Sequence, residues 1–249
     1  MDRAISTWFS PAVDREMSVA RFGWFGKPVL LFPTGGGDFL EHERFLMIAA
    51  LTPLIDAGRI KVYTVGNINR DGWINPDALP RRKTELQARF DQYLLDELLP
   101  FVKWDCRDTD QKFATAGASL GAFNAVTAVS KHPEWFDLAV TMSGTFDLSR
   151  WLNGYRDDDF YYNHPLDFLP NLGPSEQLDR LREARFVLGV GRGRWDNPPN
   201  SFRMARALAE KGVWNRVELW GPDADHDWPT WRTMLPMFLD RLVPAEPRP

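Results

Sequence analysis

The chain has 249 residues and a net charge of −4, with 30 Lys and Arg against 34 Asp and Glu interspersed along it. This offers neither the basic stripe of a nucleic-acid binder nor a polybasic membrane segment, so a small-molecule ligand is the better expectation. The single cysteine, Cys106, excludes an internal disulfide and a thiolate metal cluster, and the length suits one α/β domain with a well-buried core.

The first residues, MDRAISTWFSPAVDRE, carry acids and aromatics where a secretory leader needs a basic start and a continuous apolar stretch. No apolar run reaches membrane-spanning length, so no membrane association and a cytoplasmic location are expected. Residues 5–10 and 17–22 flank a Pro-Ala-Val-Asp turn and predict an antiparallel pair at one sheet edge. Residues 28–32 (PVLLF) form a continuous apolar run of the kind buried on both faces of a parallel sheet. The run ends in Pro33-Thr34 and three glycines, Gly35, Gly36 and Gly37. Their spacing matches neither G-x-G-x-x-G nor a P-loop.

Residues 39–57 predict one helix stopped by Gly58, and residues 60–65 another buried strand. A loop over 67–79 contains Trp73, and residues 82–102 predict the longest amphipathic helix, which leads back to the sheet. Residues 112–116 are short, apolar and β-prone; Gly117-Ala118-Ser119-Leu120-Gly121 follows, and then a helical run of small and apolar residues. This is G-x-S-x-G between a strand and a helix, where a sharp turn holds the serine hydroxyl above the sheet and the helix start aims free N–H groups at a developing oxyanion. Read blandly, the same five residues make only a tight strand-to-helix turn.

Residues 136–142 are the next strand. Residues 147–184 then interrupt the strand-helix rhythm with Trp151, Tyr155, Phe160, Tyr161 and Tyr162, and predict a small cap whose aromatics contact substrate. The alternative is a surface excursion whose aromatics pack on the body. Strands over 185–191 and 216–220 and helices over 201–211 and 228–242 complete an alternating α/β pattern without internal repeats.

A serine hydroxyl needs a base, and the chain has four histidines. His42 and His132 fall in or at the end of predicted helices, and His164 lies in the candidate cap. His226 follows the last strand, where the chain order serine, acid, histidine requires the base. Asp196 is the only acidic residue between Arg185 and Glu210 and directly follows a strand; Asp147, after the preceding strand, is the second candidate acid.

LFPTGGG, GASLGAFNAV, SGTFDLS and DHDWPTW followed by a helix together resemble an α/β-hydrolase of the putative-esterase family, which includes S-formylglutathione hydrolase, feruloyl esterases and mycolyltransferases. The resemblance spans residues 28–242. It implies a mostly parallel central sheet with helices on both faces. It also implies Ser119 as nucleophile, Asp196 as acid and His226 as base, with oxyanion donors from Leu120 and from Gly35 or Gly36. Pro33-Thr34 replaces the His-Gly common in related esterases. The expected reaction is carboxylic-ester hydrolysis through an acyl-enzyme, without metal or organic cofactor, on a small-molecule ester. Acyl transfer by the same residues, or a catalytically silent binding protein on this fold, are the alternatives.

Overall fold

The computed structural model describes residues 1–107 and 110–244. Eight strands form one sheet in the order β1-β2-β4-β3-β5-β6-β7-β8, running β1 (Arg3–Ser10), β2 (Arg15–Phe22), β3 (Lys27–Phe32), β4 (Ile60–Val65), β5 (Phe113–Ala118), β6 (Phe136–Met142), β7 (Arg185–Val190) and β8 (Trp214–Leu219). β1 and β2 are a hairpin closed at Ser10 and Arg15, and β2 runs antiparallel to β4; the other neighbours are parallel. The alternating α/β pattern and the α/β-hydrolase fold that the resemblance implies are both present.

The apolar runs that read as buried strands are buried because helices cover both faces. Met47–Asp56 and Trp228–Leu242 pack on Val29, Leu31, Val62, Ala116 and Val140. On the other face, Pro80–Tyr93, Leu120–Lys131 and Pro198–Ala209 pack on Leu30, Phe32, Tyr63, Phe113 and Phe186.

From β3 the chain passes to β4 on one side, then returns to lay β5 on the other side of β3. The order of the strands reverses there, and the crevice outside their carboxyl ends is where such sheets bind ligands. The loops after β3 and β5, carrying Gly35 and Ser119, are thereby neighbours although they are far apart in sequence.

Two helices depart from expectation. The helix over 39–57 is broken into Glu41–Arg44 and Met47–Asp56 by Leu46 at φ 61°. Tertiary contacts hold the break: the Phe45 ring stacks on Trp228 with centroids 4.7 Å apart, and Arg232 Nη1 donates to the Phe45 carbonyl at 2.9 Å. The long helix runs Pro80–Tyr93 and Leu99–Cys106 with a π turn, Leu94–Leu98, between them. Pro100 has no N–H for the carbonyl four residues back, and the Leu99 N–H reaches Leu94 O instead. Glu97, in that turn, accepts from Trp8 Nε1 at 2.8 Å and Ser10 Oγ at 2.7 Å, which ties the edge hairpin to the helix.

Residues 147–184 form short helices, Asp158–Asn163, Pro165–Phe168 and Glu176–Glu183. They lean mainly on the helices Pro80–Tyr93 and Leu120–Lys131. Asp157 caps the first by accepting from the Phe160 N–H, and its other oxygen accepts from Thr84 Oγ1 at 2.7 Å.

Candidate active site

Ser119 is the residue between β5 and Leu120–Lys131, at φ 56° and ψ −119°. A non-glycine residue with positive φ costs on the order of 1–3 kcal/mol and persists only where its surroundings fix it. Here the Ser119 N–H donates to Met142 O at 3.0 Å, and the Thr145 N–H donates to Ser119 O at 3.0 Å. The flanking glycines are required by close approach. A Cβ on Gly117 would lie 2.4 Å from the Gly121 backbone, and one on Gly121 would lie 2.5 Å from the carbonyl oxygen of Phe32. The G-x-S-x-G spacing thus lets the helix start press against both its own strand and the end of β3.

The same contact brings the β3 loop to the serine. A Cβ on Gly35 would lie 3.8 Å from the Leu120 side chain, whereas nothing lies near Gly36, whose carbonyl is taken by Arg70. The Leu120 N–H opens its helix and has no intrahelical acceptor. Among the described residues the Gly35 N–H has no acceptor either. Glu41 shapes the loop by accepting from the Thr34 N–H at 2.8 Å and Thr34 Oγ1 at 2.6 Å. Burial raises the pKa of Glu41, against the lowering effect of the Thr34 hydrogen bonds. Its carboxylate fills the space where a Gly37 Cβ would be, 2.3 Å away.

Asp196 and His226 meet where the loops after β7 and β8 are laced together. The Gly193 N–H donates to Ala224 O at 3.0 Å, the His226 N–H to Arg194 O at 3.0 Å, and the Arg194 N–H to Asp225 Oδ1 at 2.6 Å. A Cβ on Gly191 would sit 1.8 Å from Ala224 O, so only glycine lets these loops close. The Asp196 side chain is fully buried; Oδ2 accepts from the Gly191 N–H at 2.6 Å, and Oδ1 lies 3.0 Å from His226 Nδ1. The His226 ring rests edge-on against Trp231, centroids 5.1 Å apart, and Trp231 Nε1 donates to Ser143 Oγ at 2.9 Å, one residue beyond the carbonyl that holds Ser119.

The other three histidines are committed elsewhere. His42 is buried against Trp228, and burial pushes its pKa down to about 3, so its ring is neutral at working pH. His132 Nε2 lies 2.8 Å from Asp91 Oδ1. His164 is buried, with Nε2 accepting from the Leu148 N–H at 3.2 Å and Nδ1 3.3 Å from Asp167 Oδ2. Asp147 is engaged as well: Oδ1 accepts from the Ser149 N–H at 3.0 Å, and Oδ2 pairs with Arg203. Burial works to raise the Asp147 pKa, but the Ser149 and Arg203 bonds outweigh it and hold the carboxyl below the usual range. Among the described residues neither Ser119 Oγ nor His226 Nε2 has a hydrogen-bond partner, and the two are not bonded to each other.

His226 opens onto a cleft of about 460 Å³ walled by Ser143, Asp147, Arg150, Trp195, Asn200 and Arg203. Trp195, at φ 68° and 87% exposed, is held there because its neighbour Asp196 must turn inward. Neither Trp195 nor the two arginines stood out in sequence; the available signal was that Arg150 and Trp195 lie in the loops after β6 and β7, while Arg203 lies within the helix Pro198–Ala209.

The five candidate cap aromatics divide. Trp151 lines a second cleft and lies 6.2 Å from the Trp73 ring. Tyr155 packs part-buried on the cluster of Trp73, Leu120, Phe123 and Phe160. Phe160 is a correction: at 1% exposure, stacked on His164 at 4.4 Å, it offers no face to a substrate. Tyr161 packs against the main core, and Tyr162 is 60% exposed beside neither cleft.

A family model described as "Putative esterase" matches residues 65–242. The chain belongs to that family. Membership supports ester hydrolysis on small-molecule esters. No curated protein sequence matches the chain. Among solved structures it is similar to a ferulic acid esterase, with TM-score 0.72 and 15% identity over 97% of this chain and 98% of that one. It is also similar to an S-formylglutathione hydrolase from Agrobacterium tumefaciens (TM-score 0.70, 13% identity, 97% and 92% covered) and to Mycobacterium tuberculosis MPT51 (TM-score 0.70, 16% identity, 96% and 98% covered). At these identities the likeness is one of fold, and it covers the hairpin that precedes the family match. No helix of the described residues is long and apolar enough to cross a membrane.

Proposed function

We propose that this esterase is a serine carboxylic-ester hydrolase working through an acyl-enzyme, with Ser119 as nucleophile, His226 as base and Asp196 as its orienting acid. The observation that carries the reading is the 3.0 Å contact between the buried Asp196 carboxylate and His226 Nδ1, on a cleft also lined by Thr145, whose N–H is bonded to the carbonyl of strained Ser119. With Nδ1–H donating to Asp196, the proton-free Nε2 is the basic atom, and the buried carboxylate stabilises the imidazolium formed when Ser119 gives up its proton. The Ser119–His226 hydrogen bond is made when substrate enters, as in many sites whose catalytic bonds tighten only in the complex.

The oxyanion that develops on the carbonyl is held by the N–H groups of Leu120, which opens its helix, and Gly35, where a Cβ would lie 3.8 Å from the Leu120 side chain. His226 then returns the proton to the departing alcohol, and a water activated by the same ring releases the acid. The chain acts as one catalytic domain in which residues 147–184 contribute a wall, through Arg150 and Trp151, in place of a closed cap.

A fluorophosphonate probe should label Ser119 in the parent and not in Ser119→Ala. That variant should lose on the order of 10⁶ in kcat on p-nitrophenyl acetate, the loss seen when a serine nucleophile is removed, with an unchanged melting temperature. Parent-like turnover in Ser119→Ala would overturn the assignment.

A further inference from the structure

We infer that the ester taken by this site carries an oxyanion group, a carboxylate or a phosphate, recognised by Arg150; this rests on the serine-esterase reading above. Arg150 lines both clefts, the one beside His226 and a second of about 460 Å³ bounded by Trp73, Ile74, Lys83 and Trp151. The second cleft reaches the oxyanion loop, since an Ile74 methyl lies 3.2 Å from where a Gly35 Cβ would be. A substrate whose carbonyl sits between Ser119 and Gly35 therefore extends past Arg150 whichever cleft its longer part enters.

The charge there is not cancelled. Arg203 is paired with Asp147, the one carboxylate bordering either cleft. Arg150 has no carboxylate or hydrogen-bond partner among the described residues; its guanidinium carbon lies 4.8 Å over the Trp151 ring. Stacking of that kind fixes the plane of the fork and leaves its edge N–H groups free for a bidentate oxyanion. In the second cleft the Lys83 ammonium is bound by the carbonyls of Gly72, Trp73 and Asn75, at 3.1, 3.3 and 2.6 Å, and by no carboxylate among the described residues. Lys83 has no donor to spare, but its charge adds to the field. Among the described lining residues, Arg150 and Lys83 thus face no carboxylate of their own, a local positive balance that favours anionic substrate on a chain of net charge −4.

The test compares p-nitrophenyl hemiglutarate with p-nitrophenyl pentanoate, which differ in a terminal carboxylate against a methyl, in the parent, Arg150→Gln and Arg150→Lys. In parallel, glutarate and methyl phosphate are titrated calorimetrically into Ser119→Ala and into Ser119→Ala with Arg150→Gln, which reads anion binding without turnover and separates the two oxyanions. In Arg150→Gln the ratio of kcat/KM on the acidic ester to that on the neutral one should fall about tenfold to hundredfold, the range of a charge-assisted hydrogen bond, or the affinity for one of the anions should fall by the same factor; Arg150→Lys should lie between. An anion on the alcohol side of the ester would appear in the titration alone. A ratio and both affinities indifferent to Arg150→Gln overturn the inference. Failure of the serine-esterase reading looks different: neither ester is turned over, or turnover survives Ser119→Ala, while the titrations still report on Arg150.

Discussion

Two regions rim the same crevice and are built on different principles. The loops that carry Asp196 and His226, residues 191–196 and 221–227, leave adjacent parallel strands and are laced by backbone hydrogen bonds, with Gly191 pressed so closely on Ala224 that no side chain fits between them. The segment 147–184 is held largely by side-chain packing, with Leu148, Leu152, Leu169 and Leu181 buried and Phe160 set on His164 and Trp73. Backbone lacing fixes single atoms, which a catalytic hydrogen bond demands. Side-chain packing fixes a surface, which is enough for a wall and leaves the identity of the exposed residues free to follow the substrate.

Substitution of acids in the two regions gives the largest contrast. Asp196→Asn should keep the fold and lower kcat on the order of 10⁴, as removal of the orienting carboxylate does in serine proteases. Asp147→Asn, in the other region, should change kcat by less than about tenfold, because its partners are Ser149 and Arg203 and not the base. Steady-state kinetics on one neutral ester settles it; equal losses at the two positions would mean that the lacing does not select the acid.

Within the second region, aromatic truncation separates buried from exposed positions. Phe160→Ala should cost about 3–5 kcal/mol of stability as a core truncation, whereas Tyr162→Ala should stay within about 0.5 kcal/mol. Urea denaturation of each variant measures this, and a Phe160→Ala protein of parent stability would show that the segment is not packed as described.

The smallest effect concerns what anchors the segment. Lys131 Nζ joins Asp91 Oδ2 at 2.6 Å to Asn163 Oδ1 at 2.7 Å, and His132 bonds the other Asp91 oxygen. Burial works to raise the Asp91 pKa, but the bonds and charges of His132 and Lys131 overcome it and hold the carboxyl below its ordinary value. A carboxyl lowered on folding stabilises fully above its unfolded pKa of about 3.9 and loses that contribution as pH falls through the folded value. Asp91→Asn should therefore destabilise by about 1–3 kcal/mol at pH 7, and the gap to the parent should narrow below pH ~4. Denaturation at pH 7 and pH 3 tests the sign; a gap that widens in acid would refute it.

Much of this could be read along the chain because it rests on near neighbours in sequence. The buried strands β3 to β7 are runs of apolar residues, the elbow around Ser119 needs glycine two residues to either side, and Asp196 and His226 each follow a strand that must end at the crevice. Trp228–Leu242 was legible to the residue, since Asp227 caps it and its apolar positions recur at helical spacing. What distance in sequence conceals is who meets whom. Leu46 breaks a helix because Phe45 is stacked on Trp228, which lies at the start of the last helix. Gly35, unlike Gly36, lies beside the Leu120 side chain, the backbone bonds between residues 193–194 and 224–226 bring Asp196 and not Asp147 to His226, and Phe160 is buried within the cluster that Trp151 only borders. The order of strands and helices and the local motifs determined the α/β architecture and the kinds of residue on offer; which of them meet, and that Arg150 faces no carboxylate among the described residues, came only from the tertiary structure, because hydrogen bonds and ion pairs act over a few ångströms in space and carry no trace of separation along the chain.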